Sequence, residues 1–277
     1  MTESSGVDAV RIALLYPTLL GTYGDGGNAS VLAQRLRWRG RPAEVVEVGI
    51  DQAVPEEVDL YVLGGGEDSA QTLAVSRLRD GALGRAVAAR KPVFAVCAGF
   101  QILGETFLDG HGDVHPGLGL IDCRTDRLPD SRAVGELLGW SEQPGVGMVT
   151  GYENHGGRTV LGPDARPFAS VRSGVGNGAD GVDGAIQASV VATYLHGPAL
   201  ARNPALADSL LSAVCGEMEP LEDLEETELR RERMAAAQRT TSRWRRQWRP
   251  PARQRPGAGQ EPAAGQDPAA PGPEQQT

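Results

Sequence analysis

Short apolar runs alternate with amphipathic segments through the first hundred residues of the chain. The apolar runs have the length of buried strands and lie at residues 11–16, 45–48, 58–63 and 93–97. Between them, residues 28–39 carry Leu32 and Leu36 on one helical face, and Asn28 is the predicted N-cap. A second helical segment covers residues 69–90 and contains glycines that can divide it. This alternation predicts an α/β fold with a mostly parallel central sheet.

The second half of the chain has a different pattern. Residues 117–162 are rich in strand-forming residues but less regular. Regular apolar spacing returns as a strand at 188–195 and as an amphipathic helix at 203–215. We therefore expect one folded domain over residues 10–217, preceded by a flexible leader at residues 1–9.

The C-terminal part differs in composition from the domain. Residues 218–249 are highly charged, which predicts a partly helical extension, and residues 250–277 are rich in Pro, Ala, Gly and Gln, which predicts a disordered tail. Trp244 and Trp248 stand among arginines, a pattern that can make weak contact with anionic lipid headgroups. A solvated tail is the simpler interpretation of the same residues.

Composition narrows the class of protein. The net charge of −9 argues against general nucleic-acid binding, and the chain contains neither a long apolar run nor a signal-peptide pattern. Its three cysteines are widely spaced and fit neither a disulfide framework nor a zinc motif. We expect a soluble, cytoplasmic protein without a metal site.

The sequence around Cys97 is the first candidate for chemistry. An apolar strand leads into Cys97, and a turn containing Gly99 and a short apolar helix follow, which is the pattern of a nucleophile elbow with Cys in place of Ser. A helix N-terminus at this position favours the reactive thiolate. His196 ends a later apolar strand and can serve as the base that such a thiol needs. A buried structural cysteine and a structural histidine are the alternatives.

Four segments in this order resemble class I glutamine amidotransferases of the cobyric-acid-synthase-like type. The resemblance covers about residues 11–234 and rests on residues 63–71, the Cys97 elbow, residues 151–158 and residues 194–202. Among such enzymes, the residues are most similar to the glutaminase subunits that act in lipid II amidation. The resemblance implies a flavodoxin-like sheet and the hydrolysis of glutamine.

The resemblance also implies roles for individual residues. Cys97 would attack the side-chain amide of glutamine, and His196 would protonate the departing ammonia. Backbone N–H groups of Gly65 and Gly66, together with that of Ala98, would form the oxyanion hole. Arg132 would bind the α-carboxylate, for which Arg124 and Arg127 are nearby competitors. Glu153, Asn154 and His155 are candidate pocket residues, although a structural hydrogen-bonding role is an equal alternative.

One position departs from the pattern of the broader class. Many class I amidotransferases carry a glutamate two residues after the catalytic histidine, and this chain has Pro198 there. We expect the partner protein to supply the missing carboxylate, with another residue of this chain as the alternative. The glycine-rich residues 24–29 are interpreted as a surface loop near the site or the ammonia exit rather than as a dinucleotide site.

The implied partner is a Mur-ligase-like subunit that forms a heterodimer with this chain. ATP and Mg²⁺ would bind to that partner together with the lipid II acceptor, and this chain would hold no cofactor of its own. An amidotransferase for another acceptor such as a cobalamin precursor, a non-catalytic regulatory scaffold and a stand-alone hydrolase or cysteine protease are the competing hypotheses.

Overall fold

The computed structural model describes residues 8–129, 132–178 and 180–247, with side chains described as far as residue 235. In chain order, its elements are β1 (Val10–Leu15), α1 (Gly27–Trp38), β2 (Ala43–Val48), β3 (Leu60–Leu63), α2 (Asp68–Leu78), α3 (Ala82–Ala88), β4 (Val93–Val96), α4 (Ala98–Leu103), β5 (Thr106–Leu108), β6 (Val114–Pro116), β7 (Cys123–Arg127), β8 (Ala133–Ser141), β9 (Gly147–His155), β10 (Gly157–Leu161), β11 (Ala169–Ser173), β12 (Val182–Asp183), β13 (Ala185–Gln187), β14 (Val190–Thr193), α5 (Ala199–Arg202), α6 (Pro204–Cys215) and α7 (Leu224–Gln247).

The central sheet has six strands in the order β13-β14-β4-β3-β1-β2. All neighbouring pairs are parallel except β13 and β14, which makes β13 an antiparallel edge strand. Every residue of β3, β4 and β14 is buried, as expected for strands covered on both faces. Read from the other edge, the first five strands have the flavodoxin-like order. The predicted fold class is confirmed.

The helices of this sheet agree with the local sequence at Gly81 and depart from it at Asn28. The helical segment after β3 divides at Gly81, whose φ of 81° is in the left-handed region that glycine adopts readily. The predicted cap at Asn28 is wrong, because the N-cap of α1 is Gly26. Asn28 is instead buried in the first turn, where its Oδ1 accepts the backbone N–H of Leu200 at 2.9 Å. That bond joins α1 to α5.

Two smaller sheets occupy the region between β4 and β13. One has the order β10-β7-β5-β6, and the other has the order β12-β11-β8-β9. The second contains an antiparallel pair of nine-residue strands, in which Ala133 lies opposite His155. This pairing brings Arg132 beside residues 153–155, although Arg132 and these residues are separated in sequence.

The charged extension after the domain contains α7, and buried ion pairs join the chain preceding this helix to α1 and α6. The side chain of Arg35 is only 1% exposed and forms two hydrogen bonds each with Asp208 and Asp223, at 2.6–3.0 Å. Within the described residues, no helix combines the length and the apolar character needed to cross a bilayer. The domain boundaries stay predictions.

Several sequence-based predictions concern residues that the structure does not describe. The leader up to residue 7, the tail from residue 250 and Trp248 lie outside the described residues, and so does the side chain of Trp244. The predicted membrane contact of this segment therefore stays a prediction.

Candidate active site

The site forms where four strands of the central sheet end. The loop after β1 carries Asp25, the glycines at residues 64–66 follow β3, Cys97 follows β4, and His196 lies just beyond β14. The connections of the sheet reverse direction between β1 and β3, and ligand sites of open α/β sheets form at such switch points. The topology therefore explains why residues from four distant segments meet.

Cys97 has the backbone geometry of a nucleophile elbow. Its φ and ψ of 52° and −107° are unusual for a residue with a side chain, and α4 begins at the next residue. Its N–H donates to the carbonyl of Thr193 at 2.9 Å, and the N–H of Gly99 donates to the carbonyl of Gly64 at 3.1 Å. Hydrogen bonds to β14 and to the loop after β3 thus hold the strained turn in place.

His196 is buried beside Asp25, and both side chains are at most 1% exposed. Nδ1 of the imidazole lies 2.8 Å from Oδ2 of Asp25, so Nδ1 carries the proton that the carboxylate accepts. Burial lowers the pKa of His196, but the hydrogen bond to Asp25 and the nearby sulfur of Cys97 outweigh burial and raise the pKa to about 10. The imidazole therefore holds a proton at neutral pH and can donate it.

The prediction that a partner supplies the carboxylate for His196 is wrong for this structure, because Asp25 of the same chain occupies that position. The interpretation of residues 24–29 as a surface loop is also wrong at Asp25 and Asn28, which are fully buried, whereas its predicted place near the site agrees with the contact between Asp25 and His196. An aspartate among glycines after the first strand of an α/β sheet was the available signal. Its 171-residue separation from His196 hid the pairing.

The glycine loop after β3 is shaped by close approach to the catalytic groups. A Cβ atom on Gly65 would lie 2.6 Å from Cε1 of His196, so only glycine fits there without displacing the ring. The N–H of Gly65 donates to Oδ2 of Asp25 at 2.9 Å, so the prediction that it serves the oxyanion hole does not match the structure. The N–H groups of Gly66 and Ala98 have no partner among the described residues and remain available as donors.

A cavity of about 360 Å³ connects Cys97 with Arg132. Arg132 is held by Asn154, whose Oδ1 accepts from Nε at 2.5 Å and whose backbone carbonyl accepts from Nη2 at 3.0 Å. Nη1 of Arg132 has no hydrogen bond within the described part of the chain. Arg127 also lines the cavity, but its Nη2 is bonded to the carbonyls of residues 109 and 110, and Arg124 does not line it.

The three consecutive candidates at residues 153–155 have three different surroundings. Glu153 is buried and accepts the backbone N–H groups of Val175 and Gly176, which makes it a structural residue of a neighbouring loop. Asn154 orients Arg132, as described above. His155 lines the cavity, stacks on Tyr194 with ring centroids 3.7 Å apart, and donates from Nδ1 to the carbonyl of Gly157 at 2.9 Å.

A chain of buried polar side chains lies behind the cavity and was not predicted. Nε2 of Gln71 donates to Oε1 of Gln101, and Nε2 of Gln101 donates to the hydroxyl of Tyr194 at 3.1 Å. The Tyr194 hydroxyl lies 2.6 Å from Oγ1 of Thr159. Because both glutamines line the cavity, this chain fixes part of its wall.

The fold and the site together suit an α/β enzyme that uses a thiol nucleophile on a carbonyl compound. A strained cysteine, a histidine oriented by a carboxylate, free backbone N–H donors and a cationic cavity are the parts that such acyl transfer requires.

Comparison with known proteins gives the family. Residues 11–204 match the CobB/CobQ-like glutamine amidotransferase domain, and the chain belongs to this family of glutamine amidotransferases. A solved glutamine amidotransferase that is 20% identical covers 74% of this chain and 98% of its own length with a TM-score of 0.51, which supports the fold.

Curated relatives give a finer comparison. The chain is 34% identical over 200 residues to the GatD subunit of the glutamine-hydrolysing lipid II isoglutaminyl synthase of Staphylococcus aureus, covering 71% of this chain and 80% of the relative. The corresponding Streptococcus pneumoniae subunit is 32% identical, covering 73% and 79%. A probable cobyric acid synthase of Methanothermobacter thermautotrophicus is 41% identical, but only over 38% of this chain and 23% of the synthase.

Proposed function

We propose that this chain is the glutaminase subunit of a two-subunit amidotransferase. It hydrolyses glutamine at Cys97 and delivers ammonia to a Mur-ligase-like partner, MurT, which amidates D-glutamate of lipid II to D-isoglutamine for peptidoglycan synthesis. The observation that carries this proposal is the similarity to GatD subunits over about four fifths of their length. The matches to cobyric acid synthases, in contrast, cover only 23–35% of the length of those enzymes.

The first half of the proposed reaction forms a thioester. Sγ of Cys97 attacks the side-chain carbonyl carbon of glutamine, and the N–H groups of Gly66 and Ala98 bind the oxyanion that develops. His196 donates its Nε2 proton to the amide nitrogen as the carbon–nitrogen bond breaks. Ammonia leaves, and a γ-glutamyl thioester remains on Cys97.

The second half regenerates the enzyme. His196, now neutral, accepts a proton from water as the water oxygen attacks the thioester carbon. The carbon–sulfur bond breaks, glutamate leaves, and the sulfur of Cys97 returns to its starting form. Asp25 keeps the Nδ1 proton in place throughout, so Nε2 is always the nitrogen that faces the reaction.

The acceptor half of the reaction is assigned to the partner. ATP, bound there with Mg²⁺, would transfer its terminal phosphoryl group to the α-carboxylate of D-glutamate and leave ADP. Ammonia would then attack the acyl phosphate, and inorganic phosphate would leave. The P-loop pattern G-x-x-x-x-G-K-[ST] does not occur in this sequence, which supports assigning ATP to the other subunit. Both subunits act in the cytoplasm, at the membrane surface where lipid II is held.

Reconstitution tests this proposal directly. The chain is co-purified with a Mur-ligase-like protein and supplied with lipid II, ATP and Mg²⁺, and mass spectrometry follows conversion of a carboxylate to an amide. We expect glutamine to support the reaction with wild-type chain but not with Cys97→Ala. Ammonium chloride should support it with both, because free ammonia bypasses the glutaminase. Amidation that is indifferent to Cys97 with glutamine as nitrogen source would contradict the proposal.

A further inference from the structure

Tyr23 contacts both His196 and Arg132, the arginine that lines the cavity. It lies in the loop after β1, two residues before Asp25. Its ring packs against the imidazole of His196 with centroids 4.6 Å apart and an interplanar angle of 57°. Its hydroxyl lies 3.2 Å from Nδ2 of Asn154 and 3.4 Å from Nη2 of Arg132.

The hydrogen atoms at this hydroxyl can be assigned without ambiguity. Arginine only donates, so the Asn154 atom that faces Nε of Arg132 is its oxygen, and the atom that faces Tyr23 is its NH₂ group. Both neighbours of the Tyr23 oxygen are therefore donors, and the oxygen accepts from each. Among the described residues no acceptor is bonded to the hydroxyl hydrogen of Tyr23.

Arg132 also has an unused hydrogen-bond donor. Its Nε and Nη2 are already bonded to Asn154 and Tyr23, whereas Nη1 is free within the described part of the chain. The guanidinium group of Arg132 thus has one unused donor, Nη1, and a second unused donor, the Tyr23 hydroxyl, lies beside it. Paired donors beside a fixed positive charge suit the two oxygens of a carboxylate.

We propose that Tyr23 is a substrate-binding residue whose hydroxyl donates a hydrogen bond to the α-carboxylate of glutamine beside Arg132. This inference rests on the proposed glutaminase function. The contact between the ring and His196 fixes the distance between the carboxylate-binding end of the cavity and the catalytic imidazole. The loop that carries Asp25 therefore also positions the glutamine substrate.

The test compares Tyr23→Phe with wild type, each as the full chain assembled with its Mur-ligase-like partner. Glutamate release is measured with glutamine, and hydrolysis is measured with L-glutaminamide, in which a neutral amide replaces the α-carboxylate. Phenylalanine keeps the ring against His196, so kcat for glutamine should change by less than about 3-fold. KM for glutamine should rise roughly 10-fold, as expected for a lost hydrogen bond to a charged group.

The analogue distinguishes binding from general damage. With L-glutaminamide, wild type and Tyr23→Phe should have the same kcat/KM, because the group that the hydroxyl recognises is absent. Tyr23→Leu, which also removes the ring, should lower kcat as well. An unchanged KM for glutamine, or an equal loss with both substrates, would overturn the inference and leave the glutaminase proposal intact. Wild-type protein that releases no glutamate would overturn both.

Discussion

Replacing Asp25 with Asn tests whether this buried carboxylate sets the protonation of His196. The substitution preserves the shape of the side chain and keeps an oxygen for the N–H of Gly65, but it removes the charge 2.8 Å from Nδ1. A hydrogen bond to a charged group contributes about 1.5–3 kcal/mol. Since one pKa unit corresponds to about 1.4 kcal/mol, the pKa of His196 should fall by about 1–2 units from its value of about 10.

The direction of this change determines the assay. A histidine whose pKa is raised in the folded state adds stability that is complete below pH 6.5 and disappears as pH rises through about 10. In the proposed reaction, the same protonated form donates the proton to the departing amide nitrogen. The alkaline limb of kcat/KM should therefore move to lower pH by about 1–2 units in Asp25→Asn. The loss of kcat/KM should be at most about 2-fold near pH 8 and about 5- to 50-fold at pH 10, where the wild-type imidazole is still half protonated.

Asp51→Asn is the matched control, because Asp51 is 81% exposed and, among the described residues, forms an ion pair with Arg77 alone. This control should keep both the wild-type rate and the wild-type pH profile. An Asp25→Asn enzyme with an unchanged alkaline limb and an unchanged rate would refute the assignment. The carboxylate that orients His196 would then have to come from elsewhere, with the partner subunit as the first candidate.

Three further substitutions have expected outcomes. Gly65→Ala introduces a Cβ 2.6 Å from the catalytic imidazole ring, so glutamate release should fall at least tenfold, whereas Gly84→Ala meets only an ordinary 3.7 Å contact and should retain activity. Arg132→Ala should raise KM for glutamine roughly 10- to 100-fold, with kcat less affected, in steady-state assays. Arg35→Ala leaves two aspartates without their buried partner and should lower the free energy of unfolding by about 3 kcal/mol in urea denaturation. Loss of the exposed Arg85–Glu56 pair should lower the free energy of unfolding by less than about 1 kcal/mol. Equal losses in the two variants would contradict the stabilising role of the Arg35 ion pairs.

The sequence predicted the elements whose pattern is local. The apolar runs at β1, β3, β4 and β14 are fully or largely buried strands, and their alternation with helical segments indicated a parallel sheet. Cys97 and His196 were recognisable because each ends such a strand. In a parallel sheet, residues in that position share one edge, so their meeting could be expected from topology alone.

The parts that sequence reasoning missed depend on contacts between distant segments. Asp25 was visible, but nothing local distinguishes an aspartate that orients a histidine from one that terminates a helix or lies in a turn. The same limit explains Asn28, a good capping residue that is used instead to bond the backbone of Leu200. Gly65 was assigned to the oxyanion hole from the resemblance to the family, whereas the bond of its N–H to Asp25 is a tertiary property.

Glutamate release from glutamine by wild-type chain and Cys97→Ala, each with and without a Mur-ligase-like partner, tests the central claim most directly. The account predicts release that depends on Cys97 and that increases when the partner is present, with His196 oriented by Asp25 of this chain in both states. No release by the wild-type chain under either condition would contradict the account. Equal release by the Cys97→Ala variant would also contradict it.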